Sequence, residues 1–151
     1  MLPLRRDAEV HHTASVEDYL KAIFALSRAT KAASTSEIAR RLHVAPPSVT
    51  GMVHHLAEQG LLAYEPYRGV RLTLSGKRIA RRVVWRHRVI KTYLMRELQC
   101  PWVLAEAEAD RLEHAVGDEL VNRMAATLAE PAVAAHRGGS LVRTEATGRR
   151  K

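Results

Sequence analysis

A single cysteine, Cys100, stands among the 151 residues. It excludes an internal disulfide framework and any zinc site built from several cysteines, and it is consistent with a reducing cytoplasm. Nowhere do about 18 apolar residues run together, and Met1 to Val10 mixes arginines with acids and has no apolar secretion-signal segment. Neither membrane spanning nor export is indicated, so the protein is expected in the cytoplasm. There is no internal repeat. Acids are the minority charge, 16 Asp and Glu against 24 Lys and Arg, and the net charge is +8. The bases are spread along the chain, which favours a folded surface meeting a polyanion over a disordered basic arm. The length suffices for one good core or two small ones that lean on each other.

What is present is helical periodicity. Residues 15 to 29 place Val16, Tyr19, Leu20, Ile23 and Leu26 on one face, with Ser15 as N-cap and Glu17 and Asp18 at the start, where the helix dipole favours acids. After a break at Lys31 to Ala33, Ser34-Thr35-Ser36-Glu37 has capping-box spacing and opens a second helix near Ser36, with Ile38, Ala39 and Leu42 inward. Pro46 and Pro47 fit only the first turn of a third helix, which runs to about Gln59 and stops at Gly60. Its inward residues are Val49, Met52, Val53 and Leu56, leaving Ser48, Thr50, Gly51, His54 and His55 outside. From Leu61 the period becomes two: Leu62, Tyr64 and Pro66 alternate, Arg68-Gly69 makes a turn, and Val70 to Leu74 alternates again. A β-hairpin directly after a helix-turn-helix is a wing.

Ser75 is expected to cap a long fourth helix reaching about Leu98, whose stripe of Ile79, Val83, Ile90 and Leu94 is completed by His87. A fifth, Val103 to Val116, buries Leu104, Leu112 and Val116; a sixth, Asp118 to Leu128, carries Leu120, Val121, Met124 and Leu128. The fold class expected is therefore mainly α, an N-terminal winged helix-turn-helix (residues 1–74) followed by a helical region (75–130, with the linking helix at about 75–98) and a flexible basic tail (131–151).

Two groups of residues carry chemistry. In a helix-turn-helix the second helix enters the major groove of double-stranded DNA, so Pro47, Ser48, Thr50 and Gly51 should face base edges. That turn has no arginine or glutamine for bidentate base readout, which leaves DNA shape and thymine methyls to supply specificity. Arg40, Arg41 and His54 are candidates for phosphates. Arg68 at the hairpin tip either meets the minor groove or a phosphate, or is a solvated arginine in a tight turn.

The second group is Asp110, Glu113 and His114, at i, i+3 and i+4 on one helix face. Crowded acceptors repel unless a cation or water lies among them, so the cluster is either a metal site or a solvated acidic face. His87 is likewise either a ligand or a packed core histidine.

Five ordered blocks resemble the DtxR/MntR family of metal-dependent transcriptional repressors over roughly residues 15 to 130. They are Ser15-Val16-Glu17-Asp18-Tyr19-Leu20, Pro47-Ser48-Val49-Thr50-Gly51-Met52-Val53, Tyr67-Arg68-Gly69-Val70-Arg71-Leu72-Thr73, Arg86-His87-Arg88 and Leu112-Glu113-His114. The resemblance implies a cytoplasmic homodimer that represses metal-uptake genes, its winged helix binding a palindromic operator when a divalent metal joins the DNA-binding and dimerisation regions. Residues 75–130 then become the metal-binding and dimerisation domain. Carried over position by position, the metal ligands are Asp18, His87, Asp110, Glu113 and His114.

Three departures bear on the metal. Lys21 stands where manganese-sensing members have a second acid, which implies one full site and a weakened or absent second. Lys91 stands where iron-sensing members carry an acid of an ancillary site. Asp110 and Asp18 stand where iron-sensing members have a thiol and a thioether, and oxygen-rich ligation with imidazole favours Mn²⁺, with Fe²⁺ the alternative. In the tail, His136-Arg137-Gly138 is a degraded echo of a family Pro-His-Gly turn, and Arg143, Arg149, Arg150 and Lys151 offer non-specific phosphate contacts.

Two other readings compete. A winged-helix regulator indifferent to metal would treat the joint presence of Asp18, His87 and the Asp110 cluster as coincidence. A small metal-dependent hydrolase would use the same ligands around an activated water. No separate nucleophile, general acid or oxyanion loop is recognisable, and no enzyme activity is expected.

Overall fold

The computed structural model describes residues 12–27 and 32–129. Met1 to Val10 and the tail from 131, with the phosphate-contacting residues assigned to it, lie outside them.

Helix α1 spans Ala14–Leu26, three residues short of the expected end, and its N-cap is Thr13, whose hydroxyl accepts the Val16 amide. Ser15 is therefore inside the helix and does not cap it. Helix α2, Thr35–Leu42, is capped by Ser34 with the full reciprocal box to Glu37 and closes on His43 in the left-handed region, φ 55°. Helix α3, Pro46–Glu58, opens on its two prolines and ends at Gly60, φ 71°.

Strands β1 (Leu62–Glu65) and β2 (Gly69–Leu72) pair antiparallel, Leu62 opposite Leu72 and Tyr64 opposite Val70. The turn is Pro66 to Arg68, with Tyr67 at φ 64°, and Gly69 belongs to the strand. Its glycine is required by a close approach: Ala33 and Val70 exchange backbone hydrogen bonds at 2.9 and 2.8 Å, and a Cβ on Gly69 would lie 2.8 Å from the Ala33 carbonyl. The loop after α1 is thus stitched to the wing.

Helix α4, Leu74–Arg96, starts earlier than expected because Thr73, not Ser75, is the cap; its hydroxyl accepts the Gly76 amide at 3.2 Å. Leu74 is the first helical residue, 83% exposed, and no part of the strand. Helix α5 is Trp102–Leu112 and α6 is Asp118–Ala129. The fifth helix is shorter than the expected Val103 to Val116. Glu113 is its C-cap, and His114 sits in the turn beyond.

Among the described residues two apolar clusters form. The first joins α1, α2, α3 and the wing around Leu20, Ile23, Ile38, Val49, Val53, Leu56 and Val70, all fully buried. The second is smaller: Val89, Ile90, Ala109 and Val121, with Leu94, Leu112, Val116 and Met124 against them. Helix α5 turns its alanines, Ala105 and Ala109, onto this core, because small residues let two helices approach closely. Leu104, expected inside, is consequently 49% exposed, and Leu120 of α6 is 50% exposed.

Candidate metal centre and nucleic-acid interface

The cluster is built at a junction of three helices. Because α1 begins at Ala14, Glu17, Asp18 and Lys21 fall in its first two turns. His87 lies midway along α4, and Asp110 and Glu113 end α5. The turn carrying Glu113 and His114 is held in place by Arg86, a buried arginine of α4 that donates to the Val116 carbonyl and pairs with Asp118, the first residue of α6. Arg82 also pairs with Asp118.

All five residues expected as ligands meet here. Among the described residues, two groups have nitrogen and carboxylate oxygen atoms within 4.8 Å of one another: His87, Asp110 and Glu113, and Asp18, Glu113 and His114. Glu113 is common to both and is 1% exposed. An open cavity of about 590 Å³ reaches the site, lined by Asp18, Lys21, His87, Glu106, Asp110 and His114 together with Arg41 and Leu42 of α2.

The first group already has a cation. Lys21 Nζ donates to both Glu113 oxygens, at 2.8 and 3.0 Å, and to Asp110 at 3.2 Å, and lies 3.4 Å from His87 Nδ1. Burial works against its charge, but the hydrogen bonds and charges of Glu113 and then Asp110 outweigh it and hold the lysine above its ordinary pKa. Burial likewise pushes Glu113 up, and hydrogen bonds from His87 and Lys21 overcome it, so this carboxyl stays below its usual range.

The second group tests whether a metal fits. His114 Nδ1 is 2.6 Å from Glu17, while Nε2 is 2.9 Å from Asp18 and 3.3 Å from Glu113. A neutral imidazole has one N–H; given to Glu17, it leaves the Nε2 lone pair facing two carboxylate oxygens. Lys21 already meets that Glu113 oxygen, but the Nε2 lone pair and Asp18 face each other at 2.9 Å and call for a proton or a cation between them; an imidazole with two carboxylates is a hard, oxygen-rich donor set suited to Mn²⁺. The residues fit a divalent metal. Glu17 completes the carboxylate–histidine pair that orients metal-binding imidazoles.

Glu17 and Glu106 are the functional neighbours the sequence reading left out of the ligand set. Glu106 is 3.3 Å from His87 Nε2 and 3.0 Å from Lys91 Nζ. The hydrogen bond from Lys91, with a smaller contribution from His87, keeps its carboxyl below the usual value despite burial. Both acids had a signal: Glu17 is one helical turn from Lys21, and Glu106 one turn before Asp110.

Of the residues expected to meet DNA, Pro47, Ser48, Thr50, Gly51 and His54 lie on the exposed face of α3. Nothing lies within 4 Å of a Cβ added at Gly51, so packing does not demand glycine there. The Thr50 hydroxyl donates to the Pro46 carbonyl at 3.3 Å, leaving only its lone pairs, which can accept from a base N–H but cannot bond a phosphate oxygen. His54 meets Tyr64 of the wing edge-on, ring centres 5.2 Å apart, which ties the recognition helix to β1. Arg68 pairs with Glu65 at 3.2 Å on an exposed hairpin. Arg40 and Arg41, both expected at phosphates, are exposed on α2, and Arg41 also lines the open cavity beside the cluster.

Comparison with known proteins matches both halves. Residues 11–70 match the model described as iron dependent repressor, N-terminal DNA binding domain, and residues 73–140 that described as iron dependent repressor, metal binding and dimerisation domain. Over 111 residues the chain is 36% identical to the uncharacterized HTH-type transcriptional regulator MJ0568 of Methanocaldococcus jannaschii, covering 73% of this chain and 89% of that protein. It is 44% identical over 82 residues to the HTH-type transcriptional regulator MntR of Geobacillus thermodenitrificans, covering 54% of this chain and 58% of the relative. Among solved structures, a manganese-dependent transcriptional repressor in complex with manganese superposes with a TM-score of 0.70 at 38% identity, covering 77% of this chain and 53% of the other. The chain thus spans little more than half the length of that repressor and of the MntR relative.

Proposed function

This chain belongs to the iron-dependent repressor family of transcriptional regulators, and from that premise we propose that it is a Mn²⁺-responsive repressor that binds DNA as a homodimer. The observation that carries the proposal is the convergence of Asp18 from α1, His87 from α4 and Asp110, Glu113 and His114 from the end of α5. Helix α1 belongs to the core that holds the recognition helix, and α5 to the other core, so donors drawn from both can be satisfied together in only one arrangement of the two.

Asp18, Glu113 and His114 would hold the metal, with Glu17 orienting the imidazole and Arg86 fixing the turn. The bound ion supplies positive charge where those acceptors meet. Ser48, Gly51 and the prolines of α3 then face the major groove, and Arg40, His54 and Arg68 meet phosphates. Leu98, Trp102, Val103, Leu104 and Leu120 leave a largely uncovered apolar face on the second half, which suits pairing with a second copy. A two-fold dimer reads a palindromic operator with half-sites about 34 Å apart. Genes of metal uptake are the expected targets, and the cytoplasm the expected location. Among the described residues no helix is long and apolar enough to cross a membrane.

Fluorescence anisotropy of a duplex selected from a random pool by the Mn²⁺-loaded protein tests the reading, with Mn²⁺ or chelator added at fixed salt. Mn²⁺ is expected to tighten binding, and Asp18→Ala to abolish that gain while the affinity seen in chelator persists. Equal affinity in metal and in chelator would refute the metal-responsive reading and leave a metal-independent regulator. Equilibrium dialysis is expected to find one tightly bound Mn²⁺ per subunit.

A further inference from the structure

Lys21 sits where one of the two donor groups would hold its cation. Its ammonium touches Glu113, Asp110 and His87, the whole of the first group, at 2.8 to 3.4 Å. Through it α1 is joined to α4 and to the end of α5, the same three elements that the metal ligands join. A surface ion pair would contribute little. Here one partner, Glu113, is 1% exposed and Lys21 only 26%, so the pair is part of the junction's interior.

Resting on the metal-regulator reading, we infer that Lys21 is a tethered cation that closes the α1–α4–α5 junction without metal, so that Mn²⁺ at Asp18, Glu113 and His114 reinforces an arrangement already formed. Because the chain carries this charge, its local concentration does not depend on metal supply. A ligand can raise the binding-competent fraction no further than unity, so the fraction held closed by Lys21 sets a ceiling on the metal's effect; a metal-free fraction of about one half would limit the gain to about twofold. The regulator therefore has substantial basal binding and a shallow metal response. Asp18 and His114, which Lys21 does not touch, remain for the metal.

The test compares the full chain with Lys21→Met and Lys21→Gln, using the selected duplex and amide hydrogen exchange. In chelator both variants are expected to bind the duplex about tenfold more weakly than the parent, with Mn²⁺ restoring them to within about threefold, a larger metal response than the parent shows. Exchange in chelator should quicken in α1 and at residues 109–114. Lys21→Gln keeps a donor without charge and serves if the methionine variant does not fold; Lys21→Arg, which keeps the charge, is expected to stay close to the parent. Parent-like binding of the neutral variants in chelator would overturn the inference. If Mn²⁺ selects no duplex, the regulator reading falls, and exchange alone decides the role of Lys21: equal rates in the parent and the neutral variants overturn it.

Discussion

Gly51 and Glu17 are two residues whose roles separate cleanly from packing. Gly51 lies on the exposed face of α3 with open space around its Cα, so Gly51→Ala should stabilise the fold by about 1 kcal/mol, as alanine does over glycine in helices. The same methyl stands on the face offered to DNA, and duplex affinity is expected to fall. Urea unfolding and anisotropy on one variant read both, and undiminished affinity would remove Gly51 from the interface. Glu17→Gln keeps the size of the side chain that faces His114 and removes its charge. Mn²⁺ affinity should drop about ten- to a hundredfold by calorimetry, the usual effect of losing a partner that orients a metal-binding histidine. At this scale the sequence was legible in type and less so in position. Thr13 and Thr73 cap the helices expected to start at Ser15 and Ser75, since several hydroxyls compete within two residues and caps differ by only about 1 kcal/mol. Glu17 was read only as an acid favoured by the helix dipole, because its histidine lies 97 residues away.

The elements are positioned by close backbone approaches as well as by apolar faces. Gly76 is buried at the start of α4, and a Cβ there would run into the Leu61 carbonyl. Gly76→Ala should therefore cost about 1 to 3 kcal/mol, the range for overpacking, measured as a lower thermal midpoint; an unchanged midpoint would show that α4 can shift to accommodate it. The contrast with Gly51→Ala is one of sign, from the same substitution in two helices. The helix-turn-helix and wing were readable because each start and stop has its own residue: Ser34 with Glu37, Pro46, Gly60, Gly69. Helix α5 was less so. Its apolar residues lie on more than one side, and a pattern in one chain does not distinguish the face on α4 from a face kept for a partner. The alanines took the first, and Leu104 is left half exposed.

For the whole molecule, the exposed apolar face of the second half leads to an expected outcome: Leu104→Asp should dissociate the dimer, giving a lower mass by sedimentation while helix content is kept. A variant that stays dimeric would move the interface elsewhere. The candidate site was legible only in pieces. The Asp110 cluster stood out by spacing and His87 by interrupting an apolar stripe, but Asp18 and Lys21 reach them from α1, some 90 residues away, and only the family resemblance linked Asp18 to them. The stitch between Ala33 and Val70 has a mechanical consequence. With the His54–Tyr64 contact and the shared core, it makes α1, α3 and the wing a single rigid lever, with Asp18 near its handle and the groove-reading surface on its arm. A small rotation at the handle would be delivered to helix and wing together, so the two elements proposed to read DNA would move in step.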